Sequence, residues 1–202
     1  MAKVKPLITI REQIADSLRS DIISGTVKPG DRIREEVLAA KFGVSRGPIR
    51  DVLLQLGKEG LLSSKPNCGV TVNAHLSSDL QKLMINLRIK IEVHSLKLVN
   101  GKLTPEDFEE LDKILNTLYN ALDEESFTDA TEADLKFHRY IVRKAGGEDL
   151  VNVWMPIVLR MRMDYQRISS PKQSRDEHSA IINALRVGDI KKATKALKAN
   201  IR

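Results

Sequence analysis

The chain has 202 residues, 33 Lys+Arg against 27 Asp+Glu for a formal charge of +6, and 42% hydrophobic residues. That apolar content excludes a disordered chain. No apolar run reaches the roughly 18 residues of a membrane span, and the single cysteine, Cys68, excludes an internal disulfide framework or a multi-cysteine zinc site. The opening MAKVKPLITI has no apolar stretch before a small-residue cleavage site, so no secretory leader and a cytoplasmic location are expected. Charge is uneven along the chain. Residues 1–77 carry 12 basic and 8 acidic side chains (+4), and residues 78–202 carry 21 and 19 (+2). The N-terminal part is the one suited to a polyanion, although a solvated basic face accounts for the same counts.

The first predicted helix starts at Thr9, which has capping-box spacing to Glu12, and carries Ile10, Ile14, Leu18 and Ile22 on one face. Gly25 stops it, and Lys28-Pro29-Gly30-Asp31 reads as a turn. A short helix over about 34–42 ends at Gly43. Ser45 is a good N-cap for the next, where Pro48 falls in the first turn and Ile49, Val52, Leu53 and Leu56 form the inner stripe. Two β-prone runs, 61–64 and 69–72, flank a Pro66-Asn67 turn and predict a hairpin. This is a helix-turn-helix followed by a wing. After a linker at 75–78 the spacing predicts about six helices, at 78–99, 105–122, 129–144, 150–168, 171–187 and from 189 onward. Gly146-Gly147 separates the third from the fourth, and Pro156 is expected to kink the fourth. The expected fold is mostly α, a winged helix-turn-helix over 1–77 joined to an all-helical bundle over 78–202.

Candidate DNA contacts cluster at the start of the third helix. A recognition helix presents its N-terminal residues to base edges, and that turn offers Ser45, Arg46, Gly47, Pro48 and Arg50. Arg46 and Arg50 are four apart and share a face, and arginine suits both guanine and phosphate. Arg34, and Lys65, Asn67 and Gly69 of the wing, complete the set. The plainer reading is a surface helix with two solvated arginines.

Residues 7–75 resemble the winged helix-turn-helix of the GntR family of bacterial transcription regulators. Carrying the likeness are Ile14, Leu18, Ile23-Ser24-Gly25, Pro29-Gly30, Leu38-Ala39, the run Gly43 to Leu53, Leu56, Glu59-Gly60-Leu61-Leu62, Pro66-Asn67 and Gly69. The resemblance implies that Arg46 and Arg50 are the main DNA contacts, that Gly69 belongs to the wing tip, and that a near-palindromic operator is read by a homodimer. Two positions depart from the pattern. Cys68 stands where members often have arginine, which implies a weaker wing grip, and Glu36 stands where some use arginine.

In the second half, Asp134 and His138 are four apart on one predicted helix and can share an ion, with His178 a third candidate. As spacing alone this is equally three polar residues on bundle helices. Residues 78–202 resemble the FCD effector domain of the FadR subfamily, in its shorter VanR-like branch, through Arg88 with Glu92, Asp134 with Phe137-His138, Glu177-His178 with Ile181 and Ala184, and Gly188-Asp189. The resemblance implies a divalent metal such as zinc or nickel on Asp134, His138 and His178. Asn200 stands at the fourth position in place of histidine, so the site is weakened and weakly held, shifted toward harder ions, or emptied. The resemblance further implies a small carboxylate effector touched by Arg88, Asp134 and His138. For Arg88, an ion pair with Glu92 at four residues' spacing is the competing reading. Trp154, Met155, Met161, Met163 and Tyr165 read as pocket lining or as ordinary core. The sequence therefore favours a DNA-binding regulator that is not an enzyme. A metal-dependent enzyme built on Asp134, His138 and His178 is the alternative. An architectural nucleic-acid protein fits less well, because +6 is a small charge for that role.

Overall fold

The computed structural model describes residues 9–65, 69–163 and 170–201. In chain order it places α1 (Ile10–Ile23), β1 (Arg32–Ile33), α2 (Glu35–Phe42), α3 (Arg46–Lys58), β2 (Leu62–Lys65), β3 (Gly69–Val72), α4 (Ser78–Val99), α5 (Pro105–Asp123), α6 (Phe127–Arg162), α7 (Pro171–Arg186) and α8 (Ile190–Asn200). No helix among the described residues is long and apolar enough to cross a membrane.

Several helix starts follow from their caps. Thr9 Oγ1 accepts from the Glu12 amide, and Ser170 Oγ accepts from the Gln173 amide. Thr104 and Asp107 close a full capping box at α5. Ser45 occupies the N-cap of α3 but makes no side-chain cap bond. Gly43 ends α2 in the left-handed conformation, where a glycine carries no Cβ penalty.

The wing is larger than the expected hairpin. β1 adds to β3, giving an antiparallel sheet of order β1-β3-β2 with Arg32 opposite Thr71 and Ile33 opposite Val70. Two residues are too few to show an alternation, so this strand leaves no sequence signature. The predicted third and fourth bundle helices are the two arms of the run α6, separated as expected by a kink at Gly146 (φ −144°, ψ 18°) and Gly147 (φ 65°, ψ −160°), where the backbone is not helical. The non-helical dihedrals fall at these glycines and not at Pro156, because proline's fixed φ is itself helical and only one backbone bond is lost there.

Helix α6 partitions two cores. Leu135, Val142, Trp154, Met155, Val158 and Leu159 join a cluster with Ile14, Leu18 and Ile22 of α1 and Ile49, Val52 and Leu56 of α3. Phe137 and Ile141 turn into a second cluster with Leu96, Leu111, Leu118, Ile181 and Leu197. The winged helix is thus seated directly on α6.

Candidate functional site

At the start of α3, Ser45, Arg46, Gly47 and Arg50 are exposed and Pro48 is half-buried. A Cβ on Gly47 would meet only Ser45 Oγ, at 3.9 Å, so this turn is open to close approach. Arg46 and Arg50 share one face, as their spacing requires, and both are held by α2. Glu35 Oε2 lies 2.8 Å from Arg50 Nε and 3.1 Å from Arg46 Nη2, and Glu36 Oε1 is 3.1 Å from Arg46 Nη2. The Arg50 hydrogen bond, with help from Arg46, holds the Glu35 carboxyl below its usual range against partial burial. Both arginine side chains stay more than half exposed, 51% and 60%, so a phosphate or base edge can replace their carboxylate partners. Arg34 is exposed at the N-cap of α2. Gly69 opens β3 at φ +74°, and a Cβ there would fall 3.3 Å from Arg32 Nε. This puts the Arg32 guanidinium beside the wing tip, a basic contact that the sequence reading missed. Lys65 ends β2; the placement of its side chain, and Asn67 itself, lie outside the described residues.

The second assembly is buried in the bundle. Arg88 and Glu92 come from α4, Asp134 and His138 from α6 before its break, Trp154 and Arg162 from α6 after it, and His178 from α7. All seven residues are at most 5% exposed. Glu92 is the hub. It accepts from Arg88 Nε at 2.7 Å, from His138 Nδ1 at 2.7 Å and from Trp154 Nε1 at 2.9 Å. Burial alone would raise its carboxyl; Arg88 and His138 outweigh burial and lower it to about 2. Burial likewise lowers His138, against the attraction of Glu92, so the ring is neutral and donates Nδ1–H to Glu92.

His178 Nδ1 lies 2.7 Å from the Ser174 carbonyl and so also carries its proton on Nδ1. Neither Nε2 atom has a hydrogen-bond partner among the described residues. They face Asp134, His178 Nε2 at 3.1 Å from Oδ1 but out of line for a hydrogen bond, and His138 Nε2 at 3.9 Å from Oδ2. One ligand atom from each of Asp134, His138 and His178 lies within 4.8 Å of the others. Histidines whose far nitrogens are fixed by a carboxylate and a carbonyl, with near nitrogens converging on a carboxylate, fit a late first-row divalent ion. Two observations weigh the other way. Arg162 hydrogen-bonds Asp134. Asn200, at the end of α8, directs Nδ2 to Glu177 Oε2 at 3.4 Å. Burial would raise the Asp134 carboxyl, but the charge of Arg162 outweighs burial and holds it well below its usual range.

Of the predicted residues, the structure brings together Arg88, Asp134, His138 and His178. The Arg88–Glu92 pair is real and buried rather than superficial. Glu92, read only as the partner of Arg88, and Arg162 were missed as site residues, whereas Trp154 fills both of its readings, core and pocket lining.

An exposed arginine pair at the start of a helix beside a wing, joined to a helical bundle with a buried polar pocket, has the architecture of a two-domain DNA-binding protein. Residues 10–72 match the family described as bacterial regulatory proteins, gntR family, and residues 83–202 match the FCD domain. The chain belongs to the GntR family of DNA-binding transcriptional regulators, of the kind that carries an FCD domain, and is not an enzyme. It is 33% identical over 144 residues to the HTH-type transcriptional regulator YdhC of Bacillus subtilis, covering 70% of this chain and 63% of that one. It is 25% identical over 191 residues to the transcriptional repressor RspR of Escherichia coli, covering 93% and 83%. Its fold superposes on that of McbR/YncC from Escherichia coli with a TM-score of 0.80 at 21% identity, covering 96% and 94%. The enzyme alternative is set aside by these relatives.

Proposed function

We propose that residues 1–77 form the operator-binding unit, and that residues 78–202 form the unit that binds a small carboxylate and dimerises. Arg46 and Arg50 contact DNA, with Arg34, Ser45, Gly47, Pro48, Lys65, Asn67 and Gly69 around them. Arg88, Asp134 and His138 face the effector. A divalent ion, zinc or nickel in type, is weakly held by Asp134, His138 and His178, with Asn200 a poor fourth donor. The protein acts in the cytoplasm as a homodimer on a near-palindromic site. Leu80 and Leu83, three apart on α4 and about half exposed (47% and 48%), support a dimer face on that helix.

The observation that carries ligand control is the bond from Trp154 to Glu92. The indole donates into the pocket while its ring packs in the core shared with α1 and α3. A ligand that rearranges Glu92 therefore acts on a side chain that seats the DNA-binding unit.

Operator binding is measured by gel shift on the DNA upstream of the protein's own gene. Arg46→Ala is expected to cost about 1–3 kcal/mol if it reads a base, and the double change with Arg50→Ala to abolish specific binding. A screen of small carboxylates by thermal shift, repeated after chelation, should yield a ligand that also alters operator affinity. Undiminished specific binding by the double variant, or stabilising carboxylates that leave operator affinity untouched, would overturn this reading.

A further inference from the structure

One group in the buried pocket has no place in an ordinary metal centre. Arg162 is the last residue of α6 and reaches Asp134 from a position 5% exposed. Among the described residues, the guanidiniums of Arg88 and Arg162 balance the carboxylates of Glu92 and Asp134, and these four groups sum to zero. A divalent ion added beside Arg162 would leave +2 in a site away from water, which is strongly unfavourable. The guanidinium cannot relieve this by losing a proton. It can do so only by moving. With Arg162 displaced the pocket holds +1 from Arg88 and +2 from the ion against −2 from the carboxylates, a sum of +1 that one monoanionic carboxylate returns to zero.

We propose that Arg162 is the resident counter-cation of this pocket, and that a divalent ion and the Arg162 guanidinium are alternative partners of Asp134. Ion binding expels Arg162 and creates the charge deficit that an anionic ligand fills. The inference rests on the pocket being the ligand site of the preceding subsection, and it makes carboxylate binding conditional on the ion.

The expelled side chain belongs to a turn that touches the rest of the molecule. Arg160 Nη2 donates to the Ala74 carbonyl, between β3 and α4, at 3.2 Å. Arg160 also packs on Gly60, where a Cβ would lie 2.9 Å from Arg160 Cδ. The Met161 carbonyl accepts from Gln81 Nε2 at 2.7 Å. Residues 160–162 thus meet the pocket, the linker after the wing and the turn after α3 within one helical turn. Freeing Arg162 loosens the turn that fastens the DNA-binding unit.

The test titrates zinc, nickel and manganese chlorides into the chelator-treated full-length protein by calorimetry, comparing wild type with Arg162→Met and Arg162→Lys. Arg162→Met should bind the ion at least about tenfold tighter, the scale on which groups around a metal site act, and Arg162→Lys should fall between. Equal or weaker binding by Arg162→Met, or no ion bound by either form, overturns the proposal. Arg162→Met leaves Asp134 without this partner, so a lower melting temperature restored by zinc is expected. Should that variant not fold without ion, wild type decides alone. Amide exchange over 159–163 should accelerate when zinc binds, and unchanged or slower exchange with zinc bound overturns the exchange of partners. Tighter zinc binding by Arg162→Met together with an operator affinity that no ligand alters supports the competition and overturns only the regulatory reading.

Discussion

Asp107 shows how much one buried carboxylate can organise. Oδ2 accepts from the Thr104 amide at 3.0 Å and closes the α5 capping box, while Oδ1 accepts from Tyr140 Oη at 2.8 Å and Lys144 Nζ at 2.5 Å. Burial would raise this carboxyl, but Lys144, the Thr104 amide and Tyr140 outweigh burial and lower it to about 2. Because the folded value lies below the unfolded one of about 3.9, its stabilisation is complete above the unfolded value and is lost as pH falls through about 2. Asp107→Asn should cost about 1–3 kcal/mol at pH 7, with the gap closing toward pH 2. Urea unfolding of both proteins at pH 7 and pH 3 checks this, and parallel pH profiles would reject it. At this scale the sequence reveals pairs on one helix face. Arg46 with Arg50, Asp134 with His138, and Arg88 with Glu92 are all four apart. It hides partners brought together by folding, since Glu92 meets His138 46 residues away and Trp154 62 residues away. His178 stood as a third candidate, but only the family likeness joined it to Asp134 and His138, because no spacing links it to them.

Elements were legible where a cap or a breaker marks them. Thr104, Ser170 and the glycines after α1, α2 and α3 set boundaries close to those observed. What stayed hidden was β1, too short for a period, while the Gly146-Gly147 break that divides α6 was legible too. Gly147 there has φ 65° and ψ −160°, a region essentially reserved for glycine. A Cβ on Gly146 would come 2.7 Å from Leu150 Cβ, so the break is built by both residues. Gly147→Ala should destabilise the protein by about 1–3 kcal/mol, measured by chemical denaturation. A change within about 0.5 kcal/mol, the range of an ordinary surface substitution, would mean that the helix relaxes through this point.

The whole molecule is organised by α6, which belongs to both cores and joins the winged helix to the buried polar pocket. Dimerisation belongs to the same scale. If α4 carries the dimer face, then Leu80→Glu with Leu83→Glu should give a monomer in sedimentation velocity without loss of helix signal. A dimer of unchanged stability would place the interface elsewhere. The chain has a single tryptophan, and Trp154 is fully buried, bonded to Glu92 and packed in the first core. Its emission comes from one indole whose N–H points at the pocket's central carboxylate. Unlabelled protein therefore carries its own optical gauge, and a ligand that enters the pocket as proposed should shift the colour or intensity of the tryptophan emission. The same signal, read with operator DNA present, times the message as it leaves the pocket.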